Sequence, residues 1–598
     1  MSSGSLSRSR LYAPFLALVA FQALLVALLP STSGSDDPAA QFAGGQPPDV
    51  QDGQTAGPAD GEPAGGQTGD TSGDLPDLEE GGTGAATGGG ATGGSAQAAD
   101  PGSTASTQEA DGGGDAQGDG GDGATTAAGD TGHCTEDGRQ HGVVFHAPSC
   151  APAWEGGDNG GATYRGVSED EIRVVWLSEE ANEQVAAIGS AAGADTSPEE
   201  EAAHLQVLAD FLNEYHEFYG REVSVTYYEL EDCPQSPADI PACRAEVRRL
   251  IEEVEPFMLM WATPIYPDIF DEFARAEVVS LGGAAFAREA FTAHRPYRWD
   301  LAMDGTQGLE LTGEYYCKKM AGDTASHAGQ LIHPSIGTRD TTERKMGIIS
   351  REAEANVLAA RRLAEQVGEC SGQDVPIVTY DTNLERAQEQ ASANTAALVA
   401  AGVTTVVCNC DVIRPVFITR NFTAQNYFPE HLITGLQAID FDVIGRLYDP
   451  EQWQRAFGLS HLAAAVDWDE ANAERVSQAV GRDERICNCP VMTEYMLLAG
   501  LMLQEAGPQL TPHSLEAAMF EADPLGGWEA TGGDPTIRMQ RFGEGDYTAI
   551  SDVREVYWDA SATSEADGEP GAYVPMNDGR RYQFGELTGQ FEIPQPSR

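Results

Sequence analysis

Apolar and polar positions change rhythm several times along this chain. Leu11 to Leu29 is one apolar run, interrupted only by Pro14 and Gln22. It is longer than the apolar core of an ordinary signal peptide and about long enough for one bilayer crossing. From Gly166 onward the rhythm is different. Glu171–Leu177 predicts a strand, and Leu205, Leu208, Phe211, Leu212 and Tyr215 recur at helical spacing. Val223–Tyr228 predicts a strand, Ala242–Val254 a helix, Phe257–Trp261 a strand, Asp268–Ala276 a helix and Val278–Leu281 a strand. The pattern then begins again. Strands are expected at Met346–Ser350, Ile377–Tyr380, Thr405–Cys408 and Leu432–Gly435. Helices are expected between them at Ala353–Val367, Leu384–Ala401 and Arg414–Phe422. Alternating strands and helices imply parallel sheets covered by helices. Two such series imply an α/β protein of two lobes, with ligands at the carboxyl ends of the strands.

Composition divides the chain further. Ser31–Thr131 holds 27 of the 68 glycines, no Lys, Arg or Cys, and Phe42 as its only aromatic. Such a segment buries too little apolar surface to offset the entropy of ordering, so it reads as a disordered tether. The expected organisation is therefore a signal peptide or membrane anchor at 1–30 and a tether at 31–133. A cysteine-containing lead-in at 134–165 follows, then a two-lobed domain at 166–560 and an extension at 561–598. Arg8 and Arg10 before the apolar run, with acidic residues after it, place the remainder outside the cytoplasm. A small-x-small site at Ser31 and Ser33 permits cleavage, and both a retained anchor and a cleaved signal stay open. No cysteine follows closely enough for a lipid-modified N-terminus. The expected location is the extracellular face of the membrane, anchored or secreted.

The net charge is −59, with 94 acidic and 35 basic residues, and 76 of the acids lie outside the tether. This argues against a nucleic-acid partner, whose phosphates would be repelled. Only three of the basic residues are lysines, Lys318, Lys319 and Lys345. All ten cysteines lie from Cys134 onward. An even count in an exported chain suggests disulfides. Cys134 with Cys150 and Cys233 with Cys243 make local loops, and Cys317 and Cys370 flank a predicted strand. The triplets Cys408-Asn409-Cys410 and Cys487-Asn488-Cys489 suggest either paired disulfides or a four-thiolate zinc site, whose usual ligand spacing is wider. The sequence carries no nucleophile elbow, no paired zinc-binding histidines on a helix and no phosphate loop. No cofactor or metal is expected, and no enzyme.

Several landmarks together resemble the type I periplasmic solute-binding proteins, in the branch of the leucine/isoleucine/valine-binding proteins. Gly166-Val167-Ser168-Glu169-Asp170-Glu171-Ile172 is similar to that family's entry motif. Phe257–Thr263 and Val278–Ala284 resemble the strands and turns that reach its cleft. Arg298 to Gln307 resembles the crossover into the second lobe, and Glu494 to Gly507 the helix after the return. The likeness runs from about Gly166 to near Tyr557. It implies a two-lobed fold that closes on a small solute by hinge motion.

The resemblance also implies site positions. In the first lobe these are Trp261, Thr263, Gly282, Gly283 and Ala284, where backbone N–H groups and a hydroxyl hold a carboxylate. Here Gly283-Ala284-Ala285 lacks the hydroxyl often found in the second turn. In the second lobe the positions are Asn409, Asp411 and Gln437. Gln437 stands where amino-acid binders carry an acid for the ligand's ammonium group, and Asp411 is the acid within reach of that role. A small polar solute, such as an amide or a modified amino acid, is therefore expected rather than a leucine-like one. The implied function is capture of such a solute for an ABC importer and its permease. The alternative is a cell-surface sensor or interaction protein with the same fold and no transporter.

Overall fold

The computed structural model describes residues 133–179, 196–231, 233, 240–261, 269–283, 286–436, 439–466, 468–482, 487 and 489–588. The apolar run, the tether, Thr263, Ala284 and Gln437 lie outside the described residues. Among those described, no helix is long and apolar enough to cross a membrane.

The first lobe comprises β1 (Glu171–Glu179), α1 (Pro198–Tyr215), β2 (Glu222–Leu230), α2 (Ile240–Val254), β3 (Met258–Trp261), α3 (Phe270–Arg275), β4 (Val279–Gly282), α4 (Arg288–Thr292) and β5 (Arg298–Trp299). Its strands are parallel, in the order β2-β1-β3-β4-β5. Met258-Leu259-Met260-Trp261 is buried throughout, as a central strand covered on both faces must be. α1 starts where Ser197 accepts from the Glu200 amide and the Glu200 carboxylate accepts from the Ser197 amide, with Pro198 in the first turn.

The second lobe comprises α5 (Gly305–Lys319), β6 (Leu331–His333), β7 (Gly337–Thr338), β8 (Met346–Arg351), α6 (Glu354–Ser371), β9 (Ile377–Tyr380), α7 (Ala387–Ala400), β10 (Thr405–Asn409), α8 (Arg414–Ala424), β11 (Glu430–Ile433), α9 (Asp442–Gly445), α10 (Pro450–Trp453) and β12 (Ala456–Ser460). Its parallel strands run β9-β8-β10-β11-β12, the strand order of the first lobe repeated. The expected strands are therefore present, but β11 begins two residues earlier than its apolar residues suggest. It opens on Glu430 and His431, and Glu430 is fully buried because Arg344 pairs with it.

The chain then returns to the first lobe as α11 (Asn472–Ala479), α12 (Pro490–Glu505) and α13 (Pro512–Glu521). Val476, Met496 and Leu515 join Val174, Leu208 and Met258 in one apolar core. Finally β13 (Val553–Thr563), β14 (Pro570–Pro575) and β15 (Arg581–Tyr582) add antiparallel strands beyond β12. Residues past 560 thus complete β13 and extend the second-lobe sheet. Lys319 on α5 anchors β13 through a buried 2.6 Å ion pair with Glu555. Arg581 on β15 holds Asp552 at 2.9 Å through two guanidinium nitrogens.

All ten cysteines are paired: Cys134–Cys150, Cys233–Cys243, Cys317–Cys370, Cys408–Cys410 and Cys487–Cys489. Each Cys-Asn-Cys triplet closes on itself, so its thiolates are not available to a shared zinc ion.

Candidate ligand-binding cleft

The lobes are joined by three crossovers at the carboxyl ends of the strands. The first follows β5, the second follows β12 and the third leads into β13. First and third pair as parallel strands: the Asp300 amide donates to Tyr547 O at 3.0 Å, and the Ala549 amide to Asp300 O at 3.0 Å. Second and third are tied by Arg554, whose Nε donates to Leu462 O at 3.2 Å and whose Nη2 donates to Ala463 O at 3.1 Å. The turn after β4 meets the start of α5, where the Gly305 amide donates to Phe286 O at 2.6 Å. Arg288 spans the same seam, 3.1 Å from Asp304 and 3.7 Å from Glu310.

Of the expected first-lobe residues, Trp261, Gly282 and Gly283 are described, and they sit at strand ends. Trp261 is 2% exposed and stacks on Phe270 with ring centroids 6.0 Å apart. Gly282 has φ of +130°, and a Cβ there would stand 2.1 Å from Trp261 O. Gly283 has φ of +106°, and a Cβ there would stand 2.0 Å from the Phe286 ring. These two glycines therefore let the backbone pass over its neighbours, a steric requirement. Under this turn the Arg298 guanidinium lies 4.2 Å from the Phe286 ring centroid and 5.2 Å from that of Phe270.

In the second lobe, Asn409 ends β10 and is buried. Its Nδ2 donates to Asn356 O at 3.3 Å and to Ser350 Oγ at 3.4 Å, while its Oδ1 has no partner. Asp411 is more fully engaged. Its Oδ1 accepts from the Ile413 and Arg414 amides at 3.0 and 2.8 Å, and its Oδ2 accepts from the Tyr380 hydroxyl at 2.8 Å. Arg351 stands 3.8 Å away. Burial alone would raise the Asp411 pKa, but Arg351, the Tyr380 hydroxyl and Arg414 outweigh it and hold it below the usual value. The carboxylate that the sequence singles out thus also starts α8 and orders Arg351 and Tyr380.

Among the described residues, Asp440 is the buried carboxylate least engaged by its surroundings. It is 2% exposed and neither of its oxygens makes a hydrogen bond. Burial raises its pKa to about 6, against the Ser460 hydroxyl and the Arg554 guanidinium nearby. Ser460 ends β12, which places Asp440 at the carboxyl edge of the sheet. At the first crossover Asp300 has an unpartnered Oδ2, and Gln307 in the first turn of α5 has an unpartnered Oε1. Burial pushes the Asp300 carboxyl up to about 7, opposed first by the Tyr495 hydroxyl. The buried side-chain oxygens of Asn409, Asp440, Asp300 and Gln307 that lack partners are all acceptors.

Solved structures similar to this chain are solute-binding proteins of ABC transporters. One is the substrate-binding protein from Aeropyrum pernix, with 15% identity over 69% of this chain and 96% of that one, at a TM-score of 0.45. Another is the solute-binding protein from R. palustris in complex with 4-hydroxybenzoate, with 12% identity, 69% and 97% coverage and a TM-score of 0.46. A third is the branched-chain amino acid ABC transporter protein from Thermus thermophilus with bound valine, with 11% identity, 70% and 97% coverage and a TM-score of 0.45. No family model matches the chain, and no curated protein matches it. The chain has the two-lobed α/β fold that the sequence resemblance implies.

Asp440, Asp300 and Gln307 escaped the sequence analysis. Asp440 follows the fourth strand of its lobe, three positions beyond Gln437. Nothing in the sequence sets Asp440 apart from the many other acids of the chain. Gln307 was within the crossover motif, but nothing in its type set it apart. Among the described residues, no cluster of three or more His, Cys, Asp or Glu has the geometry to hold a metal.

Proposed function

We propose that this chain is an extracytoplasmic solute-binding protein that closes its lobes on a small polar ligand and delivers it to the permease of an ABC importer. The observation that carries this reading is the buried, unpartnered carboxylate of Asp440 at the carboxyl edge of the second-lobe sheet. A buried charge without a partner is costly, and a ligand's N–H donors would offset that penalty. Asn409 Oδ1 adds a second acceptor from the neighbouring strand. In the first lobe the amides of the turn at Gly282, Gly283 and Ala284 offer donors to a ligand oxygen. Thr263 and Gln437 complete the proposed lining, and Trp261 and Asp411 support it from behind. The preferred ligand is therefore rich in N–H donors, as an amide, an amine or a modified amino acid is.

Native mass spectrometry of the exported protein is expected to show a co-purified solute of this kind. Because Gly283-Ala284-Ala285 offers no hydroxyl to a ligand carboxylate, calorimetric titration with leucine, isoleucine and valine is expected to show no binding in the micromolar range. Micromolar binding of any of the three overturns the ligand class and leaves the solute-binding role standing. Asp440→Asn is expected to weaken binding of the co-purified solute at least tenfold, since a hydrogen bond to a charged group is worth about 1.5–3 kcal/mol. Unchanged affinity removes Asp440 from the site.

A further inference from the structure

The lead-in before β1 is docked on the first lobe through histidines. Cys134 and Cys150 close it into a loop, and a bridge between Arg139 and Ser149 stiffens it. Its inward face carries His141, Val144 and Ala147, all buried. His141 sits against the end of α1, with ring centroids 5.2 Å from Phe211, 6.0 Å from Tyr215 and 5.0 Å from His216. Neither ring nitrogen of His141 has a hydrogen-bond partner, and Nδ1 of His216 has none either. His216 in turn stacks on Phe218, 5.8 Å between centroids. Farther along the loop, His146 Nε2 donates to Arg538 O at 2.8 Å, on the segment that leads into the third crossover.

We propose that His141, His146 and His216 form a proton-operated latch: the lead-in is docked when all three are neutral, and acid releases it. The geometry dictates the sign. Protonation would place a charge on His141 within an aromatic pocket that offers it no acceptor, directly opposite His216. Other groups facing this pocket do not neutralise it. His133 stacks on Tyr215 from the chain before the loop, 4.3 Å between centroids. Glu505 on α12 is occupied by the Ser149 amide at 2.6 Å, and Glu217 by the amides of Trp154 and Tyr219. Around His146 stand Arg538, Glu494 and Asp552, but Glu494 is paired with Arg538 at 2.6 Å and Asp552 with Arg581.

Burial holds both His141 and His146 down to about 4, and His216 well below its usual value. An undocked histidine titrates near 6.5. The histidines' contribution to docking is therefore fully present above about pH 6.5 and is lost as pH falls toward about 4, because the undocked state binds more protons. Each histidine that takes up a proton on release steepens this loss by up to about tenfold per pH unit.

Hydrogen exchange of the full-length chain, with rates corrected for the intrinsic pH dependence, tests this. Peptides covering Arg139–Ala151 and the end of α1 are expected to lose protection between about pH 6.5 and about pH 4.5, while β3 and β10 keep theirs. The double variant His141→Phe with His146→Gln keeps the aromatic packing and the donor to Arg538 O. It is expected to lose protection far less steeply across that range than the parent chain does. Loss of protection in that variant at the same pH as in the parent chain overturns the proposal. If that variant does not fold, the imidazole proton resonances of the parent chain decide. Titration of His141 or His216 near pH 6.5 with the loop still protected also overturns it.

Discussion

The Tyr495 hydroxyl donates to Asp300 Oδ1 at 2.5 Å, tying α12 of the first lobe to the first crossover. The same carboxyl accepts from the Ala302 amide at 3.2 Å, while its other oxygen has no partner. A joint between the two lobes thus contains a carboxyl that burial has pushed up to about 7.

This joint predicts a stability change with pH. The folded-state pKa of Asp300 lies above the unfolded value, so its contribution is fully present below about pH 4 and is lost as pH rises through about 7. Asp300→Asn removes that dependence. Denaturation of parent and variant at about pH 5 and about pH 8 is expected to show the variant gaining relative stability at the higher pH, by about 2–3 kcal/mol. Parallel pH curves would contradict the assignment.

Glu430 and Arg344 lie buried at the start of β11, with Arg344 Nε 2.9 Å from Glu430 Oε2. Glu430 also accepts from the His327 amide at 2.9 Å and the Thr405 hydroxyl at 2.7 Å. Glu430→Gln leaves the guanidinium buried without its counter-ion. Chemical denaturation is expected to show a loss of about 3–5 kcal/mol.

Gly282 predicts a steric effect. Its positive φ and the nearness of Trp261 O leave no room for a side chain. Gly282→Ala is expected to lower stability by about 1–3 kcal/mol, by strain at this φ and displacement of the turn. Calorimetric unfolding measures the loss, and an unchanged midpoint would show that the turn yields freely.

The cysteine pairing predicts a peptide map. Digestion without reductant is expected to recover Cys134 with Cys150 and Cys317 with Cys370, and each Cys-Asn-Cys triplet closed within one peptide. Alkylation of the folded chain before reduction is expected to label no thiol. A peptide joining Cys408 or Cys410 to Cys487 or Cys489 would overturn the assignment.

The α/β alternation was legible because parallel strands covered on both faces are apolar and short, as at Met258–Trp261 and Thr405–Asn409. Helix positions followed from spacing, as with Leu205, Leu208, Phe211 and Leu212 on α1. Where a strand begins on charge, spacing fails: Glu430 looks like a surface residue until Arg344, 86 positions earlier, is seen beside it. The site was only partly legible for the same reason. Asp411 stands out in the sequence, yet Tyr380 and two backbone amides already engage it. Asp440 does not stand out, and its lack of partners is a property of three dimensions alone.

The ion pair between Lys319 and Glu555 has a practical corollary. Lysine is so scarce here that each amine has a structural post. The Lys319 side chain is 1% exposed, and Lys345 Nζ donates to Ala401 O at 2.9 Å. Lys318 is the most open of the three, 44% exposed, yet it bonds Glu314, Gly585 O and Leu587 O. Amine-directed crosslinkers and labels will therefore find one principal lysine handle on this protein, and a tag attached there will loosen the chain at Gly585–Leu587. Carboxyl-directed or arginine-directed chemistry suits this surface far better.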